Sequence, residues 1–193
     1  MDREKIAFHI KGLLEAIGED PEREGLKETP ERVARMYCEI FRGIAYSNAE
    51  VAEKYAKCFS EDDLCAPRCG NYVVVKDITI FSHCEHHLAL MYNMKLSVIY
   101  KPVDKVIGLS KIARMAEMIS HRLQLQERIC SDMAEVLSLA TGSPNVGVKV
   151  EGEHACMTAR GIRKPGAKTI STIFKGCFES DPQARAEAMQ LLG

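Results

Sequence analysis

The sequence lacks long hydrophobic runs and repeats, and its formal net charge is only −1. Its longest apolar segments, such as residues 72–81, are interrupted by charged residues before they approach the length of a membrane span. The 26 Lys and Arg nearly balance the 27 Asp and Glu, so no global basic field favours nucleic acid. Residues 1–18 lack the basic start and small-residue cleavage site of a secretory signal. We therefore expect a cytoplasmic protein with neither a membrane nor a nucleic-acid partner.

The composition is that of a globular protein with an unusual number of thiols. The chain has 193 residues, 46% hydrophobic and 27% charged, enough for one domain or one domain with a helical extension. Its eight cysteines are many for the cytoplasm. Disulfides are rare there, and clustered thiols more often bind metal or react. The placement of the cysteines is therefore more informative than their number.

Hydrophobic spacing predicts an α+β fold with antiparallel strand pairing. Apolar residues at helical spacing predict one helix that stops at Gly18 and a second that is capped by Thr29 and ends at Gly43. Residues 1–70 are expected to form an N-terminal helical arm, and residues 71–193 the main α+β domain. The later patterns predict a helix over 48–58, a turn-like segment over 60–71, strands over 72–81 and 94–100, helices over 110–123 and 126–142, strands over 145–160 and 168–174, and a helical tail.

Two short Cys and His motifs predict a metal site. Cys84 and His87 are spaced to offer two ligands at a strand end. In the later strand, alternation places His154 and Cys156 on the same face as Val150, so the pair continues the buried face. Thiolate with imidazole selects zinc over magnesium or calcium. Either motif alone is more simply explained as packed Cys and His side chains, whereas two in one chain favour zinc.

Spacing alone leaves the type of metal site open. Cys84, His87, His154 and Cys156 together would form a closed structural site, whereas any three would leave a position for water, as catalytic sites do. The spacing does not assign a role to His86.

Further charged groups are consistent with an anionic ligand. Ser110 begins a helix with Lys111 and Arg114 one turn apart on one face, which suits phosphate, although a solvated helix start has the same pattern. Glu127, next to Gln126, is favoured at a helix start by the dipole alone. A basic loop near the metal motif is likewise consistent with an anionic ligand, although a solvent-exposed run of charges has the same pattern. Its cations are Arg160, Arg163, Lys164 and Lys168.

Five motifs, in order along residues 25–174, resemble the GTP cyclohydrolase I family. They are GLKETPERVARMYCEIF at 25–41, CEHH at 84–87, VIGLSK at 106–111, LQLQER at 123–128 and GEHACMTARGIRKPG at 152–166. The resemblance implies a tunnelling fold, in which an antiparallel four-stranded sheet carries two helices on one face and follows a helical arm. It also implies a homodecamer of two stacked pentamers, with active sites at subunit interfaces.

The resemblance also implies a reaction, the conversion of GTP and water to formate and 7,8-dihydroneopterin 3'-triphosphate in pterin or folate-type biosynthesis. By position, Cys84, His87 and Cys156 would bind Zn2+. His86, His154 and Ser110 would be catalytic. The implied substrate-binding residues are Gln126, Glu127, Lys111, Arg114, Arg160 and Arg32. Two alternatives are a non-catalytic nucleotide-binding zinc protein of the same fold and a zinc-stabilised nucleic-acid module.

Overall fold

The computed structural model describes residues 1–60, 72–103 and 105–193. The chain divides into two compact units, Met1–Arg42 and Gly43–Gly193. Apart from Ser60, the expected turn over 60–71 lies outside the described residues. The expected domain boundary at residue 70 also lies outside them and stays a prediction.

The first unit is a pair of packed helices, α1 (Arg3–Ala16) and α2 (Thr29–Ile40). The Asp2 side chain caps α1 by accepting a hydrogen bond from the Lys5 amide at 2.9 Å. The expected cap at Thr29 is wrong, because Glu28 occupies the cap position of α2 without a side-chain hydrogen bond. Pro30 instead favours the start of α2, since it needs no hydrogen-bond acceptor in the first turn.

The second unit alternates helices and strands. A 3-10 turn, Arg42–Ala45, leads into it from the first unit. Its elements are α3 (Asn48–Tyr55), β1 (Cys58–Ser60), β2 (Val73–Cys84), β3 (Leu90–Tyr100), β4 (Lys105–Ile107), α4 (Leu109–Ser120), β5 (Leu123–Gln124), α5 (Gln126–Thr141), β6 (Val146–His154), α6 (Ala155–Thr158), β7 (Thr169–Phe174), α7 (Cys177–Ser180) and α8 (Pro182–Leu192). This order is the expected α+β arrangement.

The main sheet has the order β5-β2-β3-β6-β7. Its four long strands are antiparallel, as expected, but β5 adds a fifth strand, parallel to β2, at one edge. β5 pairs with β2 only through His83 with Leu123 and Cys84 with Gln124. β1 and β4 form a separate two-stranded sheet.

The sheet is packed on both faces. Val98 and Tyr100 of β3 belong to the larger core, which α4 and α5 complete on one face. Ile99 points to the opposite face, because successive strand residues alternate, and it packs with Phe174 and with residues of α7 and α8. The C-terminal helix therefore covers part of the face that α4 and α5 leave open.

Strand β6 is shorter than its sequence pattern predicts. Alternation suggested a strand through Arg160, but β6 ends at His154, and Cys156 lies in the helical turn α6. The last ladder pair joins His154 to Met91, one residue after the start of β3. Because the partner strand ends there, the following backbone turns into a helix, in which the Ala159 amide donates to the Ala155 carbonyl.

Candidate metal centre

Sheet register brings the two metal motifs together. Met91 of β3 pairs with Ser82 of β2 on one side and with His154 of β6 on the other. Cys84 follows Ser82 by two residues, and Cys156 follows His154 by two. The two cysteines therefore reach the same end of the sheet from strands that flank β3.

A tight turn after β2 places His87 next to Cys84. The Cys84 carbonyl accepts a hydrogen bond from the Leu88 amide at 2.9 Å, and the Cys84 amide donates to the Ala89 carbonyl at 2.8 Å. Leu88 has a φ of 54°, a left-handed conformation that few residues other than glycine adopt. The turn thus reverses the chain within a few residues and keeps His87 close to Cys84.

Cys84, His87 and Cys156 form a group that could hold a metal ion. Their ligand atoms all lie within 4.8 Å of one another. Cys84 is buried, Cys156 is half-buried and His87 is exposed, so the group opens to one side. Burial and the neighbouring Cys84 raise the pKa of the Cys156 thiol. A cation between the two sulfurs would favour their thiolate form.

Arg160 is hydrogen-bonded to the same group. Its guanidinium lies 3.0 Å from Nε2 of His87. Because arginine only donates, Nε2 of His87 accepts this hydrogen bond. The backbone after α6 is held by the Lys164 amide, which donates to the Met157 carbonyl at 2.9 Å. The other cations of this loop, Arg163, Lys164 and Lys168, are exposed.

His154 lies at the end of β6 but outside the three-residue metal group. Its Nε2 is 2.9 Å from Oε1 of Gln126, the first residue of α5. Burial lowers the pKa of His154, and nearby Glu127 acts in the opposite direction. Glu127 is exposed, and one of its oxygens accepts a hydrogen bond from the Ser171 hydroxyl at 3.3 Å. No local pattern indicated Ser171, because its position depends on the pairing of β6 with β7.

His86 is exposed beside an ion pair that sequence reasoning missed. Arg128 donates to both carboxylate oxygens of Glu85. This hydrogen bonding lowers the pKa of Glu85. His86 Nε2 lies 4.0 Å from Glu85 Oε1. Glu85 lies within the CEHH motif, but the sequence alone did not indicate that Arg128 of α5 would be its ion-pair partner.

The remaining expected site residues lie elsewhere on the chain. Ser110 and Arg114 are exposed in α4, and Lys111 is half-buried. Arg114 lines a depression of about 260 Å³ that is bordered by Phe81 of β2 and contains none of the metal group. Among the described residues, no hydrogen bond or ion pair joins these three to Cys84, His87 or Cys156. Arg32 lies in the first unit and pairs with Glu28 at 2.6 Å.

The length and hydrophobicity of the helices show whether any of them could span a membrane. Within residues 1–60, 72–103 and 105–193, none has both the length and the apolar character needed to cross a bilayer.

The fold and the site together define an α+β protein with a candidate Cys-His-Cys metal centre at one end of its sheet. The family model for GTP cyclohydrolase I matches residues 6–193, and the chain belongs to this family. It is 58% identical over 192 residues to GTP cyclohydrolase 1 of Clostridium botulinum (strain Kyoto / Type A2), covering 99% of this chain and 97% of the relative.

Other similarities vary in strength. The chain is 52% identical over 192 residues to GTP cyclohydrolase 1 of Clostridium beijerinckii, covering 100% of this chain and 98% of the relative. Among solved structures, an archaeosine synthase QueF-Like in the apo form matches with a TM-score of 0.47 and 20% identity, over 56% of this chain and 97% of that one. The structural likeness is too low to support an argument about fold.

Proposed function

We propose that the chain converts GTP and water to 7,8-dihydroneopterin 3'-triphosphate and formate, using zinc held by Cys84, His87 and Cys156. Membership of the GTP cyclohydrolase I family supports the reaction. The observation that supports the chemistry of this reaction is the Cys-His-Cys group, whose ligand atoms lie within 4.8 Å of one another. The product belongs to the first step of pterin or folate-type biosynthesis.

The donor set fits zinc. Two thiols and an imidazole are ligands that zinc prefers, and three protein ligands leave a coordination position for water. When bound, zinc would lower the pKa of that water to about 7 and so supply hydroxide for attack on guanine C8. The exposure of His87 leaves one side of the group accessible to substrate.

His154 and His86 are proposed as the proton carriers. His154 is half-buried within two residues of Cys156, where it can protonate N7 while the imidazole ring of guanine opens. His86 is exposed next to His87 and is assigned to the ribose stage, in which the sugar opens, rearranges and joins the new ring. Ser110 is assigned to a ribose hydroxyl.

Glu127 is proposed to recognise guanine. Its carboxylate can accept hydrogen bonds from both N1-H and N2-H, a donor pair that adenine lacks. The Ser171 hydroxyl orients one carboxylate oxygen. The resemblance also assigns Gln126 to the substrate site, beside Glu127. The triphosphate is assigned to Lys111, Arg114, Arg160 and Arg32.

We propose that the site is shared between copies of the chain. Across residues 1–60, 72–103 and 105–193, no hydrogen bond or ion pair joins Ser110, Lys111 or Arg114 to the metal group, so a neighbouring copy could bring its α4 to this end of the sheet. This agrees with a decamer of two pentamers built on tunnelling-fold domains (71–193), with Arg32 supplied by the helical arm (1–70) of another copy. A cytoplasmic location is part of this proposal.

The test is incubation of purified, zinc-loaded protein with GTP, followed by measurement of formate and pterin triphosphate in one sample. Equal amounts of both products are the expected result. Tight GTP binding with zinc present but neither product would contradict the proposal and favour the alternative, a non-catalytic nucleotide-binding zinc protein.

A further inference from the structure

The side-chain amide of Gln126 is buried, and its hydrogen-bond donors are used within the protein. Gln126 is 1% exposed, and its Nε2 lies 3.0 Å from the Val150 carbonyl and 3.0 Å from the Thr169 carbonyl. A longer contact of 3.4 Å joins Nε2 to the hydroxyl oxygen of Ser171, which donates its own proton to Glu127. A glutamine amide has two N–H donors, and these two backbone acceptors account for both. Gln126 therefore has no strong donor left for a substrate.

The two carbonyls also determine which way the amide points. If the amide were reversed, its oxygen would face the carbonyl oxygens of Val150 and Thr169, and three acceptors would meet without a proton in a buried place. Oε1 must therefore face the other way, towards His154, whose Nε2 lies 2.9 Å from it.

The orientation of the amide determines the form of the histidine. An amide oxygen only accepts, so Nε2 of His154 has to carry the proton of this hydrogen bond. In the neutral ring, the other nitrogen, Nδ1, is then unprotonated, so it must accept a proton as a base before it can pass one to N7 as an acid. The backbone carbonyls of β6 and β7 thus orient the amide of Gln126, and the amide in turn determines which nitrogen of His154 is protonated.

We propose that Gln126 is a positioning residue that holds His154 in the Nε2-H form, so that only Nδ1 exchanges a proton with the reacting groups. This inference rests on the proposed function for the role of His154, but the protonated nitrogen itself can be measured without turnover. It assigns Gln126 to orientation of His154 rather than to contact with guanine.

The kinetic test uses Gln126→Met, which keeps the length of the side chain and removes its hydrogen bonds. We expect kcat to fall about ten- to a hundred-fold, by analogy with residues that orient metal-ligating histidines. The KM for GTP should change little, and zinc content should stay the same. A raised KM with unchanged kcat would overturn the proposal and indicate direct binding of guanine.

The matched control is Gln124→Met. Gln124 is also 1% exposed and lies two residues away, but its amide donates to Ile119 and Asp132 and does not contact His154. We expect this variant to lose stability while retaining kcat. An equal fall in kcat for both variants would show that the effect is a general loss of packing and would contradict the proposal.

A double variant tests whether Gln126 affects kcat through His154. In a His154→Ala background, Gln126→Met should cause no further fall in kcat, because the ring that it orients is absent. A full additional loss would contradict the proposal. If Gln126→Met does not fold, the proposal is decided by spectroscopy on the unmodified protein.

The spectroscopic test records 15N solid-state NMR spectra of zinc-loaded protein labelled at histidine, with the His154 signals identified by their loss in His154→Ala. A protonated Nε2 and an unprotonated Nδ1 are expected in the neutral ring. The opposite tautomer would overturn the proposal even if the enzyme is active. Absence of formate from the unmodified protein would instead refute the proposed function, leaving the tautomer result intact.

Discussion

The sheet end that carries Cys84, His87 and Cys156 and the start of α4 that carries Ser110 and Lys111 differ in how they are assembled. The first is brought together within one chain by the register of three strands, and its ligand atoms lie within 4.8 Å of one another. The second consists of neighbours along one helix, and within the described part of the chain no hydrogen bond or ion pair joins them to the first. Under the proposed function, metal binding would therefore be a property of the single chain, whereas nucleotide binding would require assembly.

Removing a sulfur from the sheet end should have the largest effect. We expect Cys156→Ala to lose zinc and more than about a thousand-fold of its activity, because the metal supplies several kcal/mol at about 1.36 kcal/mol per tenfold in rate. Metal analysis and formate release measure the two losses. Cys177→Ala, which removes another half-buried thiol, should retain both. Full zinc content in Cys156→Ala would show that the metal lies elsewhere.

His154→Ala separates proton transfer from metal binding at the same sheet end. We expect activity to fall about a hundred- to ten-thousand-fold while zinc stays bound, because a general acid or base has been removed but no ligand has. Metal analysis and formate assays on the same preparation give the result, with exposed His9→Ala as the control. Loss of zinc from His154→Ala would favour the closed four-ligand site.

The separation of the two regions can be tested by mixing subunits. Lys111→Met alone should lower activity about ten- to a hundred-fold, since a charged hydrogen bond to phosphate is lost. When Lys111→Met and Cys156→Ala chains are dissociated and reassembled together, some sites should combine an intact α4 with an intact metal group. Formate release should then exceed that of either variant alone. A mixture no more active than the sum of its parts would place both regions in one subunit's site.

Glu127→Gln should have the smallest effect on the rate with saturating GTP. The amide keeps the size of the side chain but loses one acceptor, so we expect the KM for GTP to rise about ten-fold, within the range of about 1–3 kcal/mol for a paired base contact. Exposed Glu53→Gln is the matched control. Competition by ATP in the same assay should become stronger. Unchanged discrimination between GTP and ATP would remove Glu127 from guanine recognition.

Local signals in the sequence predicted much of this architecture. Gly142 ends α5 in the left-handed conformation, with a φ of 74°, as a glycine after a helical pattern suggests. The spacing of Cys84 and His87 likewise predicted that these residues lie together, because a short turn after a strand keeps them close.

Other features depend on pairing that no local pattern encodes. Alternation from Val146 onwards predicted a strand through Arg160, but the ladder with β3 stops at His154, which pairs with Met91 near the start of β3. The two-residue strand β5 is too short to give a periodic signal. The bonds of Gln126 to Val150 and Thr169 require the register of β6 and β7, which the sequence does not reveal.

The position of β3 between the two halves of the metal group has a consequence for folding. Cys84 and Cys156 meet only after β3 has paired with β2 on one side and with β6 on the other. Strand pairing between distant segments is slow compared with helix formation, so the helices can form before the metal ligands are assembled. Zinc uptake during refolding would therefore report the late, non-local stage of folding.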